Sequence, residues 1–135
     1  MEHHATIYFH PVLIHFPIAF YALELVLLLF WVVKRNPDYL AFSRFAFRFA
    51  YFMMPVTMLA GLIDAGGIDG IHGAVKSHAI AALSAFVFYT VRAVCFRFVK
   101  KDWKWYPAAL ILSALIGNLL LIVTGDLGGD LVYGS

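Results

Sequence analysis

Four stretches of the chain are apolar almost without interruption, at about residues 12–33, 42–64, 77–99 and 106–124, and the polar residues collect between them. A helix crosses the hydrocarbon core of a bilayer with about 20 predominantly apolar residues, so each stretch is long enough to span. None alternates with the period of two that a barrel strand needs, and a lipid-facing backbone must satisfy its polar groups within its own segment. Four transmembrane helices are therefore predicted. The connectors "KRNPDYLA", "AGGIDGIHGAVK" and "KKDWKW" are short, which predicts an all-α membrane protein, a four-transmembrane-helix up-down-up-down bundle forming a single domain.

Composition agrees with this pattern: 63% of the 135 residues are hydrophobic, 13% are charged and the mean hydropathy is +0.85, against about 45–50% apolar residues in soluble domains. The single cysteine, Cys95, lies within an apolar run, has no intramolecular partner and reads as an inert core thiol. The net charge of +2 matters less than its placement. Lys34, Arg35, Arg44, Arg97, Lys100, Lys101 and Lys104 flank the first and third connectors, while the second connector and the termini offer only Lys76. By the positive-inside rule both chain ends are expected outside, with Trp31, Trp103, Trp105 and Tyr106 at the inner boundary. The first span lacks a basic n-region and an A-x-A site, so it reads as a retained anchor. No internal repeat or low-complexity tract is evident. The basic residues are used at the inner interface, which leaves no nucleic-acid footprint.

The remaining polar residues, His10, His15, Asp64, Asp69, His72, Lys76, His78, Asp126 and Asp130, all map to the outer helix ends or outer connectors. His15 and His78 are expected at similar depth on the first and third spans. Beneath His15 on its face lie Ala19 and Ala22, and beneath His78 lie Ala82 and Ala85, so both imidazoles stand above strips of small side chains. Paired imidazoles over a flat slot suit a b-type haem, with His15 and His78 as axial ligands and His10 as an alternative. Gly61 and Gly117 then let backbone approach the macrocycle, and His72 or Lys76 meets its propionates. Two other readings stay open: small residues at this spacing also serve close helix packing, and a zinc or copper site could draw on His10, His15, His72 and His78 if three or four ligands converge. His3 and His4 belong to a terminal tail.

Glu24, near the middle of the first span, is a costly intramembrane carboxylate unless paired, and Arg48 or Arg92 reaches similar depth from the inner side. An ion pair of structural role is expected, with a protonated Glu24 as the alternative. Asn118 is placed to bond across the bundle. Pro55 frees the Tyr51 carbonyl, and Thr57 is placed to restore part of the lost bonding. The glycine-rich segments "DAGGIDGIHG" and "TGDLGGDLVYGS" read as solvated turns with capping acids; Asp126 can alternatively fix the tautomer of a ligating histidine.

The opening "HPVLIHFPIAF", Gly61 and Asp64 at the end of the second span, "KSHA" at the start of the third and the close "TGDLGGDLVYG" together resemble the bacterial membrane family known as domain of unknown function 2231. The likeness covers nearly the whole chain, and members commonly continue beyond the point where this chain stops. It implies a four-helix inner-membrane protein, with His10, His15, Asp64, His78, Gly128, Gly129, Leu131, Val132 and Tyr133 at motif positions and no defined reaction. Members resemble neighbours of electron-transfer systems, which favours haem b. The expected function is a small b-type cytochrome-like electron-transfer subunit of the bacterial inner membrane, with periplasmic termini and one haem near the outer face, rather than a stand-alone enzyme. The alternative is a cofactor-free accessory subunit of a larger respiratory or photosynthetic complex. Expected partners are the lipid bilayer and either partner subunits or further copies. A transporter ranks low without an inverted repeat.

Overall fold

The computed structural model describes residues 9–133, with side chains for residues 9–131, so His3 and His4 and the side chains of Val132 and Tyr133 lie outside the described residues. The elements in chain order are α1 (His10–Leu13), α2 (His15–Lys34), α3 (Pro37–Asp64), a 3₁₀ turn (Ile68–Gly70), α4 (Gly73–Phe98) and α5 (Tyr106–Tyr133). Four helices, α1 and α2 counting as one, are long and apolar enough to cross a membrane.

Local chemistry sets the boundaries. Pro17 brings no N–H to the Leu13 carbonyl, and the helical path is interrupted at Ile14, where the Ile18 N–H bond to Ile14 O stretches to 3.4 Å. At the start of α3, the Asn36 side chain accepts from Asp38 N at 2.9 Å and Pro37 occupies the first turn. Gly66 and Gly67, with φ of 82° and 91°, turn the chain out of α3 in a conformation that L side chains resist. The closing residues 124–133, expected as solvated turns, instead continue α5. The turn expectation fails there because α5 keeps Asp126 and Asp130 exposed and sets Gly128 against a neighbouring side chain.

Helix α2 packs on α3 and α5, α4 packs on α5, and α3 and α4 touch more sparsely. Each helix buries one narrow stripe, leaving Phe42, Phe45, Phe52, Leu59 and Ile63 of α3 exposed, as lipid contact requires. On α1 and α2 the inward stripe runs His10, Pro17, Tyr21, Glu24, Leu28; on α4 it runs His78, Ala85, Tyr89, Arg92, Phe96. Paired members of these stripes meet at one constant offset: His10 with His78, Tyr21 with Tyr89 and Glu24 with Arg92, each 68 residues apart. On α3 and α5 the inward positions Met54, Thr57 and Gly61 correspond to Leu121, Thr124 and Gly128, each 67 residues on. The bundle is thus a tandem pair of helical hairpins related by an approximate two-fold axis. This corrects the reading that no internal repeat exists: the shared signal is confined to inward positions, "FY" at 20–21 and 88–89 and "VTxxxG" at 56–61 and 123–128, while lipid-facing residues vary.

Tyr106, the first residue of α5, turns inward and is buried with Leu28, Leu110 and Ala114. One further expectation changes: Cys95 is exposed rather than in the core.

Candidate functional site

The first layer on the two-fold axis holds two imidazoles. His10, opening α1, is held by its backbone N–H donating to Asp64 Oδ2 at 2.9 Å, which satisfies one of the N–H groups a helix start leaves orphaned. Its Nδ1 donates to Thr57 O at 2.8 Å. His78, in the second turn of α4, donates from Nδ1 to Thr124 O at 2.9 Å. Each ring also lies over a glycine one turn beyond that threonine: a Cβ on Gly61 would come within 2.9 Å of the His10 ring, and one on Gly128 within 2.9 Å of the His78 ring. The same seat, a threonine carbonyl plus a bare backbone, is built twice.

This arrangement fixes the tautomers. A backbone carbonyl only accepts, so each Nδ1 carries the hydrogen and each neutral ring presents a lone pair at Nε2. The two Nε2 atoms face one another at 3.4 Å, with the ring planes 78° apart. Two lone pairs aimed at each other repel unless a cation lies between them. Beside them is a cavity of about 20 Å³ lined by both histidines, Met54, Met58, Ala82 and Leu121 among others, room for about one water. Its walls are almost wholly apolar.

The histidine facing His78 is therefore His10, not His15. His15 is exposed, and its Nδ1 donates to Pro11 O at 2.6 Å, within its own helical turn. The physical reason is register: five residues separate the two histidines, about 140° around a helix, and the buried stripe descends from His10 to Tyr21, leaving Ala19 exposed. Ala82 does line the cavity and Gly61 does admit an imidazole, whereas Gly117 lies against Tyr89 deeper in the core. His72 and Lys76 are exposed at the start of α4. Asp126 is exposed, and the tautomer-fixing bond expected from it comes to His78 from the Thr124 carbonyl. Among the described residues no three His, Cys, Asp or Glu side chains converge as a metal set.

A haem held between His10 and His78 would make two geometric demands. Axial ligands trans on iron, with bonds of about 2.0 Å, need nitrogens about 4 Å apart, and a cofactor pocket holds about 300 Å³ or more. The rings here are closer and the space between them is smaller.

Below the histidines, Tyr21 and Tyr89 stack with centroids 3.7 Å apart, and the Tyr21 hydroxyl donates to Met54 Sδ at 3.4 Å. The Tyr89 hydroxyl is buried without a hydrogen-bond partner among the described residues. Next comes the ion pair expected for Glu24, whose partner is Arg92 rather than the exposed Arg48: Arg92 Nη2 lies 2.7 Å from Oε1 and Nη1 donates to Oε2 at 3.1 Å. Arg92 also donates to Ser113 Oγ at 2.8 Å and Leu110 O at 3.2 Å, with Phe47 4.9 Å from its guanidinium carbon. Asn118 bonds across to Tyr21 O at 3.3 Å. Both charged side chains of this layer are thus paired and hydrogen-bonded within the bundle. Sequence reasoning missed Thr124, Met54 and Met58 as site residues, held Gly128 only as a motif position of the family resemblance and gave Thr57 only a helix-repair role; the duplicated "VTxxxG" marks Thr57, Thr124 and Gly128.

No curated protein and no solved structure matches the chain. Residues 6–135 match the family described as "predicted membrane protein (DUF2231)", and the chain belongs to that family.

Proposed function

We propose that this integral membrane protein is a metal-binding subunit whose centre is the His10–His78 pair, working as an electron-transfer or accessory component of a larger inner-membrane assembly. One observation carries the reading: two tautomer-fixed Nε2 lone pairs converge at 3.4 Å beside an apolar cavity. Outer partners that hold the Nδ1–H of each ring are what ligating histidines ordinarily have. A centre near one end of the bundle cannot alone move charge across the bilayer, which is why the reading includes partner subunits. The basic residues at the opposite connectors favour a periplasmic location for the site and both termini. Reporter fusions after Gly70 and after Lys101 test this, and an inside location for the first would reverse the orientation.

The central test is metal analysis and optical spectroscopy of the protein purified from its native membranes. About one transition-metal ion per chain, lost in both His10→Ala and His78→Ala and kept in His15→Ala, is the expected result. A reduced-minus-oxidised α-band would replace this reading with the cytochrome one. Protein free of both metal and haem would overturn it and leave the pair as a proton-sharing contact.

A further inference from the structure

The separation of the two nitrogens says what kind of ion would lie between them. With metal–nitrogen bonds of about 2.0 Å, atoms 3.4 Å apart subtend about 115° at the metal. That angle belongs to a trigonal or tetrahedral ion and excludes a trans arrangement. It also leaves at least one coordination position open on the cavity side.

Among the described residues no anionic side chain joins the two histidines in a metal-binding set. The carboxylate nearest in the bonding scheme, Asp64, accepts the His10 backbone N–H, and the described residues hold no third His, Cys, Asp or Glu converging with the pair. A divalent ion would keep its full charge in an almost wholly apolar space, and the cost of removing an ion from water rises steeply with charge. Zinc sites meet that cost with thiolates, carboxylates or a complete four-ligand shell. Met54 and Met58 both line the cavity, and each carries a thioether sulfur within one flexible side chain of it. The two methionines belong to the first hairpin only; their counterparts in the second, Leu121 and Gly125, bring no sulfur. Two neutral imidazoles and one thioether make a soft, uncharged, three-coordinate set, the preference of monovalent copper.

We infer that His10, His78 and the sulfur of Met54 or Met58 bind one Cu(I) ion on the two-fold axis of the bundle. The inference rests on the metal-site reading above and names its ion. Helix α3 carries both methionines one turn apart and also the Thr57 carbonyl that orients His10, so one rigid element presents the sulfur and fixes one nitrogen ligand. Met54 already accepts the Tyr21 hydroxyl at 3.4 Å, while a thioether has a second lone pair to give.

The experiment is anaerobic titration of the full chain in detergent with Cu(I), and separately with Zn(II), against a chromophoric chelator, followed by X-ray absorption of the loaded protein. One Cu(I) per chain with two nitrogens near 2.0 Å and one sulfur is the expected result. His10→Ala and His78→Ala should weaken Cu(I) by more than the roughly 100-fold that loss of an outer partner can cause, and His15→Ala should leave it unchanged. Because a histidine variant can fail to fold, Met54→Leu and Met58→Leu, which conserve volume, supply the second arm: one of them should remove the sulfur signal while helical content and monodispersity persist. A sulfur signal that survives both single variants, or is absent from the start, overturns the ligand set. Zn(II) or haem on the same histidines in preference to Cu(I) overturns the copper assignment and leaves the metal-site reading standing. No metal of any kind overturns both.

Discussion

Glu24 and Arg92 occupy equivalent positions of the two hairpins and meet across the axis, so exchanging them tests both the ion pair and the repeat. Their side chains are about 4% exposed and lie 2.7 Å apart at the closest contact. Removing one partner of such a pair strands a buried charge, at about 3–5 kcal/mol. Glu24→Arg and Arg92→Glu each place like charges in contact and should cost at least that much. In the double exchange, Glu24→Arg with Arg92→Glu, the pair re-forms with reversed polarity. An arginine at position 24 would look for the equivalents of Leu110 O and Ser113 Oγ, which 67 residues earlier are Ser43 O and Ala46. The carbonyl is present and the hydroxyl is not. The exchanged protein therefore lacks one hydrogen bond to a charged group, about 1.5–3 kcal/mol, and at the middle of both ranges should recover about two fifths of the loss in either single variant. Unfolding in mixed micelles, with the four proteins arranged as a double-mutant cycle, measures this. A double variant no more stable than the weaker single one would refute the equivalence of the two positions.

The glycine seats predict a sharp contrast: Gly61→Ala and Gly128→Ala each drive a methyl to 2.9 Å from an imidazole, so each should lose about 1–3 kcal/mol and displace its ring. Gly129→Ala, where a Cβ meets nothing within 4 Å, should keep or slightly raise the melting temperature, and equal losses at all three would undo the assignment. Tyr89→Phe removes a buried hydroxyl that has no partner, so thermal stability should be unchanged or higher by about 1 kcal/mol; a clear loss would mean that the hydroxyl is bonded. For the histidines, His15→Ala should leave thermal stability within about 0.5 kcal/mol of the parent, since that ring is exposed, whereas His10→Ala frees the Thr57 carbonyl and should be visibly less stable; the reverse order would restore His15 to the site.

The sequence by itself determined the four membrane-crossing helices and their approximate limits, because span length and apolar continuity are properties of consecutive residues and need no knowledge of neighbours. It also identified Glu24 as requiring a partner and Arg92 as one of two candidates, since the cost of a charge in lipid holds whatever the packing. Which histidine faces inward was decided by tertiary structure. A helix started at Val12 instead of His10 turns the reading of the inner face toward His15, and only the bond from His10 N to Asp64, 54 residues away, fixes the true start. Gly128 in the closing segment has the same ambiguity: in sequence it favours a turn, and its role in α5 depends on an imidazole delivered from α4. The two-fold repeat was written in the chain but only at inward positions, and which positions are inward is known once the helices have packed.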